Sequence, residues 1–190
     1  MHEPRRCSLA GGTAGMSISK INTNSIAAGA SPTMTDLTLS GGIYLGGTGA
    51  ANKIEDYEEG TFTPGFQYST NGTHSSTFSE AFGYYRKIGG VVHCSIFVKW
   101  SAFSKGTASG EAQITGLPFS SAILNRLHGG GSWNAYDYPA DTSKQFTTVI
   151  GPSATTISLY DVGSNTLNDA INDPDVGAEF KLIITYFTDA

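Results

Sequence analysis

Apolar and polar side chains alternate along most of this chain, and helical periodicity is nearly absent after residue 54. In Val91-Val-His-Cys-Ser-Ile-Phe-Val-Lys-Trp100 the even positions Val92, Cys94, Ile96, Val98 and Trp100 form one apolar face. The odd positions mix Val91, His93, Ser95, Phe97 and Lys99. Successive side chains of a strand point to opposite faces, so this pattern predicts a strand with one face on a core. Similar segments at 61–68, 111–117, 145–150, 155–162 and 178–187 are further strand candidates. Gly-Gly, Asn-Gly and Lys-Gly pairs between them mark turns. Gly83-Tyr84-Tyr85 followed by Ile88-Gly89-Gly90 reads as strand, turn, strand, and Leu117-Pro118 as a strand end. The one helical candidate, Leu167 to Ile171, is rich in Asn and Asp and also reads as a loop. Many short strands with Gly-rich turns predict an all-β domain, a β-sandwich or jelly roll.

The stripe Leu37, Leu39, Gly41, Ile43, Leu45 alternates with Thr38, Ser40, Gly42 and Tyr44. Its flanks offer almost nothing to pack against it. Ordering such a strand alone costs ~1–2 kcal/mol per residue, so a lone strand needs a partner. One solution is that it forms the first strand of its own domain. The other, favoured here, is an intertwined homotrimer in which Leu37, Leu39, Ile43 and Leu45 of each copy share a core at the axis.

Composition divides the chain at the same place. Of 21 aromatic residues, only Tyr44 precedes residue 55. Residues 1–54 hold four basic and two acidic side chains, a balance of +2, against seven and fourteen in 55–190, a balance of −7. The expected organisation is an N-terminal arm over 1–15, an extended Gly/Ser/Thr-rich shaft over 16–54 and a β-sandwich domain over 55–190. Met16 also reads as a start, which would make 1–15 an upstream extension. Tyr57 and Phe62 are expected to seed the aromatic core. The net charge of −5 argues against nucleic acid as a partner, since phosphate contacts need clustered Lys and Arg. No apolar run reaches the length of a membrane span, so membrane insertion is not expected.

The run Leu39-Ser-Gly-Gly-Ile-Tyr-Leu-Gly-Gly-Thr-Gly-Ala-Ala-Asn-Lys-Ile-Glu-Asp-Tyr-Glu-Glu-Gly-Thr-Phe-Thr-Pro64 resembles a junction found in tailed-bacteriophage tail fibres and other virion proteins. There a GGxYLGGTGxAN stretch leads into DYEEGTWTP. Gly83-Tyr-Tyr-Arg-Lys-Ile-Gly-Gly-Val-Val-His is similar to that family's GxYTKIGxxVxV, and Ile114-Thr-Gly-Leu-Pro-Phe119 to its next piece. The end, Ile184 to Ala190, resembles a closing GxYxxA strand. The likeness covers residues 37–119 well and the remainder loosely. Phe62 stands where the family has Trp, and Arg86 where it has Thr. The resemblance implies a virion structural protein.

Candidate chemistry is sparse. The run Glu55, Asp56, Glu58, Glu59 offers oxygen ligands but lacks a calcium-loop spacing, and reads as a solvated turn. Asn168-Asp169 and Asn172-Asp173-Pro174-Asp175 read the same way. His74, His93 and His128 lie on separate segments with no partner at a motif spacing. Cys7 and Cys94 lack metal-type spacing, and Cys94 falls on the apolar face of its strand as a small core residue. No nucleophile motif is present, and no carboxylate stands in a glycosidase motif. The expectation is a non-enzyme without metal or other cofactor.

Gly129-Gly-Gly-Ser-Trp133-Asn-Ala-Tyr136-Asp-Tyr138-Pro139 combines three glycines with rings and short polar groups. It reads as a mobile binding loop with Trp133, Tyr136, Asp137 and Asn134 as contacts for a sugar face or a protein. In the alternative, two of its rings fill the core of the next strand. The expected function is a trimeric tail fibre or spike subunit of the virion, made in the host bacterial cytoplasm. It would join other virion proteins through residues 1–54 and a host surface glycan or protein through its distal loops. A capsid or tail decoration protein is the alternative, and a carbohydrate-binding module a remoter one.

Overall fold

The computed structural model describes residues 41–54, 56–123, 129–136, 145–164, 166–168 and 176–190. They belong to a single unit, Gly41–Ala190. It begins with a two-stranded sheet: β1 (Ile43–Tyr44) pairs antiparallel with β2 (Lys53–Ile54), Ile43 opposite Ile54. A short 3-10 turn, Ala50–Asn52, lies between them. Leu45 N–H donates to the Asn52 carbonyl at 2.9 Å, and the Asn52 amide returns a bond to the Leu45 carbonyl at 3.1 Å. The strand at 43–44 therefore does have a backbone partner within its own chain, contrary to the expectation that it lacked one. The side chains of Ile43 and the following Leu45 nevertheless stay 43% and 54% exposed. Leu37 and Leu39 lie outside the described residues.

Ten further strands follow: β3 (Tyr57–Phe62), β4 (Gly65–Thr70), β5 (Ser75–Ile88), β6 (Val91–Ser104), β7 (Ser109–Thr115), β8 (Gly129–Tyr136), β9 (Gln145–Ile150), β10 (Thr156–Ser164), β11 (Thr166–Asn168) and β12 (Glu179–Phe187). They form one antiparallel sheet in the order β3-β5-β6-β12-β8-β9-β10-β7-β4, with β11 on β10. The hydrogen-bonded path is continuous, so the expected two layers are realised as a single curled sheet. The segment expected as one strand over 61–68 is two, β3 and β4, separated by Thr63-Pro64; Pro has no N–H for a ladder. Residues 167–168 of the helical candidate belong to strand β11, and 169–171 lie outside the described residues.

The longest pairing is the β5–β6 hairpin, Ile88 opposite Val91 across Gly89-Gly90. Gly89 takes φ +54, a conformation that residues with a Cβ rarely adopt. The alternation along β6 carries through to the fold, with Val92, Cys94, Ile96, Val98 and Trp100 all buried. Phe180, Leu182, Ile184 and Tyr186 do the same on β12. Opposite them lie Phe66, Tyr68, Ala112, Ile114, Ile157 and Leu159 from β4, β7 and β10, in the same apolar core. Phe62 packs against this core, but Tyr57, expected beside it, is 60% exposed. Position 57 falls on the outer face of β3, opposite the exposed Ile88.

Candidate functional site

The outer face of β5, β6, β12 and β8 carries a series of cross-strand rows, two of which form a groove. Register places Phe82, Phe97, Lys181 and Asn134 in one row, and Tyr84, Ser95, Ile183 and Ser132 in the next. Because side chains alternate, the partners in each row share a face. Together they line an open groove of about 290 Å³. Phe82 and Phe97 stack with ring centroids 5.1 Å apart at 31°. The Lys181 ammonium lies 5.6 Å from the Phe97 ring centroid and 3.1 Å from Glu179 Oε2. Glu179 also accepts from Lys99 at 3.0 Å, and these two bonds, the Lys99 one foremost, hold its carboxyl below the ordinary range. Beyond Tyr84 the Arg86 guanidinium sits 5.4 Å over that ring. A polar row follows in which His93 Nδ1 and Thr185 Oγ1 are 3.0 Å apart. Ile88, Val91 and Phe187 make a last, exposed apolar row. Exposed rings on a sheet whose other face is already the core form an apolar patch of the kind that marks interaction surfaces.

The stretch read as a mobile loop enters this site differently. Residues 129–136 are strand β8, held between β12 and β9. Its glycines serve close packing: a Cβ at Gly131 would collide with the Ile183 carbonyl oxygen, and one at Gly129 with Tyr186. Asn134 is exposed and lines the groove. Trp133 stands opposite Leu182 and Tyr136 opposite Glu179 in register. Asp137 lies outside the described residues. Phe82, Phe97 and Lys181 were missed as site residues. The signal for Phe97 was present, since its ring stood on the mixed face of an otherwise clear alternation.

The acidic run is not the expected solvated turn. Glu58 and Glu59 belong to β3 and face Lys87 and Arg86 of β5 in register. On the outer face, Glu59 accepts from Tyr57 at 2.7 Å and Tyr84 at 3.2 Å, with Arg86 Nε at 3.5 Å. The tyrosine bonds hold its carboxyl below the ordinary range, that from Tyr57 contributing most. On the inner face, Tyr85 donates to Glu58 at 2.5 Å, and this bond raises the Tyr85 pKa. Lys87 is 3% exposed, ion-paired with Asp56, with Nζ 5.3 Å from the Phe119 ring centroid. Glu55 lies outside the described residues.

A second polar ladder crosses β4, β7 and β10. Gln67 donates to Gln113 at 2.9 Å, Gln113 to Ser158 at 3.3 Å, and Ser158 and Tyr160 to Glu111 at 2.7 and 2.6 Å. Burial, then the Glu111 bond, pushes Tyr160 up to about 12. Cys94 is fully buried, which pushes its thiol up to about 12 and leaves it a core side chain rather than a nucleophile. His74 packs against Phe66, Tyr68 and Phe103. His128 lies outside the described residues. Among the described residues no three His, Cys, Asp or Glu side chains gather as metal ligands, and no helix is long and apolar enough to cross a membrane.

The fold resembles part of a tailspike. The match is to the crystal structure of the Dettilon tailspike protein, at TM-score 0.54 and 19% identity. It covers 69% of this chain and 24% of that one, so the chain corresponds to about a quarter of the tailspike. No protein-family profile matches the sequence, and no curated protein does.

Proposed function

We propose that this chain is a structural subunit of a tailed-phage virion, a homotrimeric fibre or spike component that attaches the particle to its bacterial host. The fold shared with part of a tailspike supports the reading, as does the junction from Gly46 to Pro64. The observation that carries the attachment role is the outward groove of Phe82, Tyr84, Phe97, Lys181 and Asn134. A solvated sheet face is ordinarily polar, whereas exposed rings beside an amide and an ammonium suit a host surface glycan or protein. Trimer formation draws support from Ile43 and Leu45, whose apolar side chains are exposed. Residues 1–54 are assigned to the contact with other virion proteins, and no catalytic step or cofactor is assigned.

The exposed row of Tyr57, Ile88, Val91 and Phe187 favours a second reading, a decoration protein whose outer face lies against another virion protein. Binding of fluorescently labelled protein to host cells separates the two, comparing wild type with Phe82→Ser, Asn134→Ala and Lys181→Ala. Each variant is melted in parallel. Loss of about tenfold or more in affinity with an unchanged melt supports attachment, because contacts at the centre of an interface carry most of its energy. Folded wild type that binds no host cell overturns attachment in favour of decoration.

A further inference from the structure

Lysine is almost never buried without a specific reason. Lys87 is 3% exposed and lies on the inner face of β5, in the cross-strand row of Glu58, Val92 and Tyr186. Its ammonium has one carboxylate in direct contact, that of Asp56, and a second, Glu58, opposite it in register. The Phe119 ring covers Nζ on one side. Asp56 is itself fixed from behind, its carbonyl accepting the Gly89 N–H at 2.7 Å. Glu58 is held by the hydroxyl of Tyr85. The side chain of Asp56 remains 41% exposed, so a small leaving molecule has a path to solvent.

From this arrangement we propose that Lys87 and Asp56 condense to an intramolecular isopeptide bond, with Glu58 as the proton carrier. The first step is transfer of a proton from Nζ to Oδ2, giving amine and carboxylic acid, at a lysine that is 3% exposed and in contact with its acceptor. The Nζ lone pair attacks Cγ of Asp56 and forms the C–N bond. Glu58 takes a proton from Nζ and delivers it to the departing hydroxyl, the C–O bond breaks, and water leaves. Glu58 returns to its carboxylate. Ammonium and carboxylate become amide and water, so atoms and charge balance with no oxidant, reductant or activating group. Holding the reacting groups together in a fixed orientation replaces activation. The product ties the residue directly before the edge strand β3 covalently to β5.

The test is the intact mass of the purified full chain, measured after denaturation, with peptide mapping of a protease digest. The expected mass of wild type is one water below the sequence mass, and the digest yields a branched peptide joining the Asp56 and Lys87 segments. Lys87→Arg keeps the cation but has no amine to acylate, and is expected at full mass. Glu58→Gln is expected to fold, by circular dichroism, and to remain largely at full mass. Folded wild type at full sequence mass overturns the proposal, whatever the variants do. Water loss that persists in Lys87→Arg overturns it as well. Cross-linking of Glu58→Gln to the wild-type extent overturns the role given to Glu58.

Discussion

Phe66 of β4 meets Trp100 of β6 edge-on, with ring centroids 5.5 Å apart and planes at 86°. β4 ends the hydrogen-bonded path, and β6 is the third strand from its other end. The sheet curls until these two rings touch. Phe78, Phe103 and Phe180 complete the cluster around the indole, Phe180 at 4.6 Å.

The curl therefore depends on these rings. Phe66→Ala removes contacts to Tyr68, His74, Trp100 and Phe103 together. The expected loss is ~3–5 kcal/mol, checked by urea denaturation. Trp100→Phe is expected to cost less, since it also removes an indole N–H that has no hydrogen-bond partner among the described residues.

His74 makes stability depend on pH. Burial holds its pKa below the ordinary 6.5, and its Nε2 has no hydrogen-bond partner among the described residues. The unfolded chain takes up the proton first as pH falls, so this contribution is complete above about pH 6.5 and is lost as pH drops toward the folded value. His74→Phe is expected to narrow the difference in melting temperature between about pH 7 and about pH 5. An unchanged difference would remove His74 as its source.

Close backbone approach at β8 makes Gly131 intolerant of a side chain. Gly131→Ala drives a methyl toward the Ile183 carbonyl and is expected to cost ~1–3 kcal/mol or more by overpacking. Gly151→Ala, with open space at its Cβ, is the control and is expected to leave the melt unchanged.

Ile43 and Leu45 report on assembly separately from folding. Both are exposed within one chain, so the double change Ile43→Asp, Leu45→Asp is expected to spare the melt of the β domain. In an axial cluster the same charges would be buried in every copy without partners, and the trimer is expected to dissociate. Light scattering checks this, and a wild-type monomer at micromolar concentration would contradict the trimer.

Much of the architecture was legible in the chain itself. The inner faces of β6 and β12 follow from alternation, because Cβ direction along a strand is a local property. The Gly89-Gly90 hairpin is equally local. The order of the strands is not, since β8 pairs with β12 across more than forty residues and nothing near Gly129 announces it. A glycine triplet reads as mobility until a neighbouring strand shows it to be clearance for a backbone. Lys87 is the sharpest case: alternation sets it on the same face as Tyr85, but local pattern alone would keep an ammonium in water. Only the folded sheet brings Asp56 to its side, and a charge is tolerated inside a protein when its counter-charge is already there.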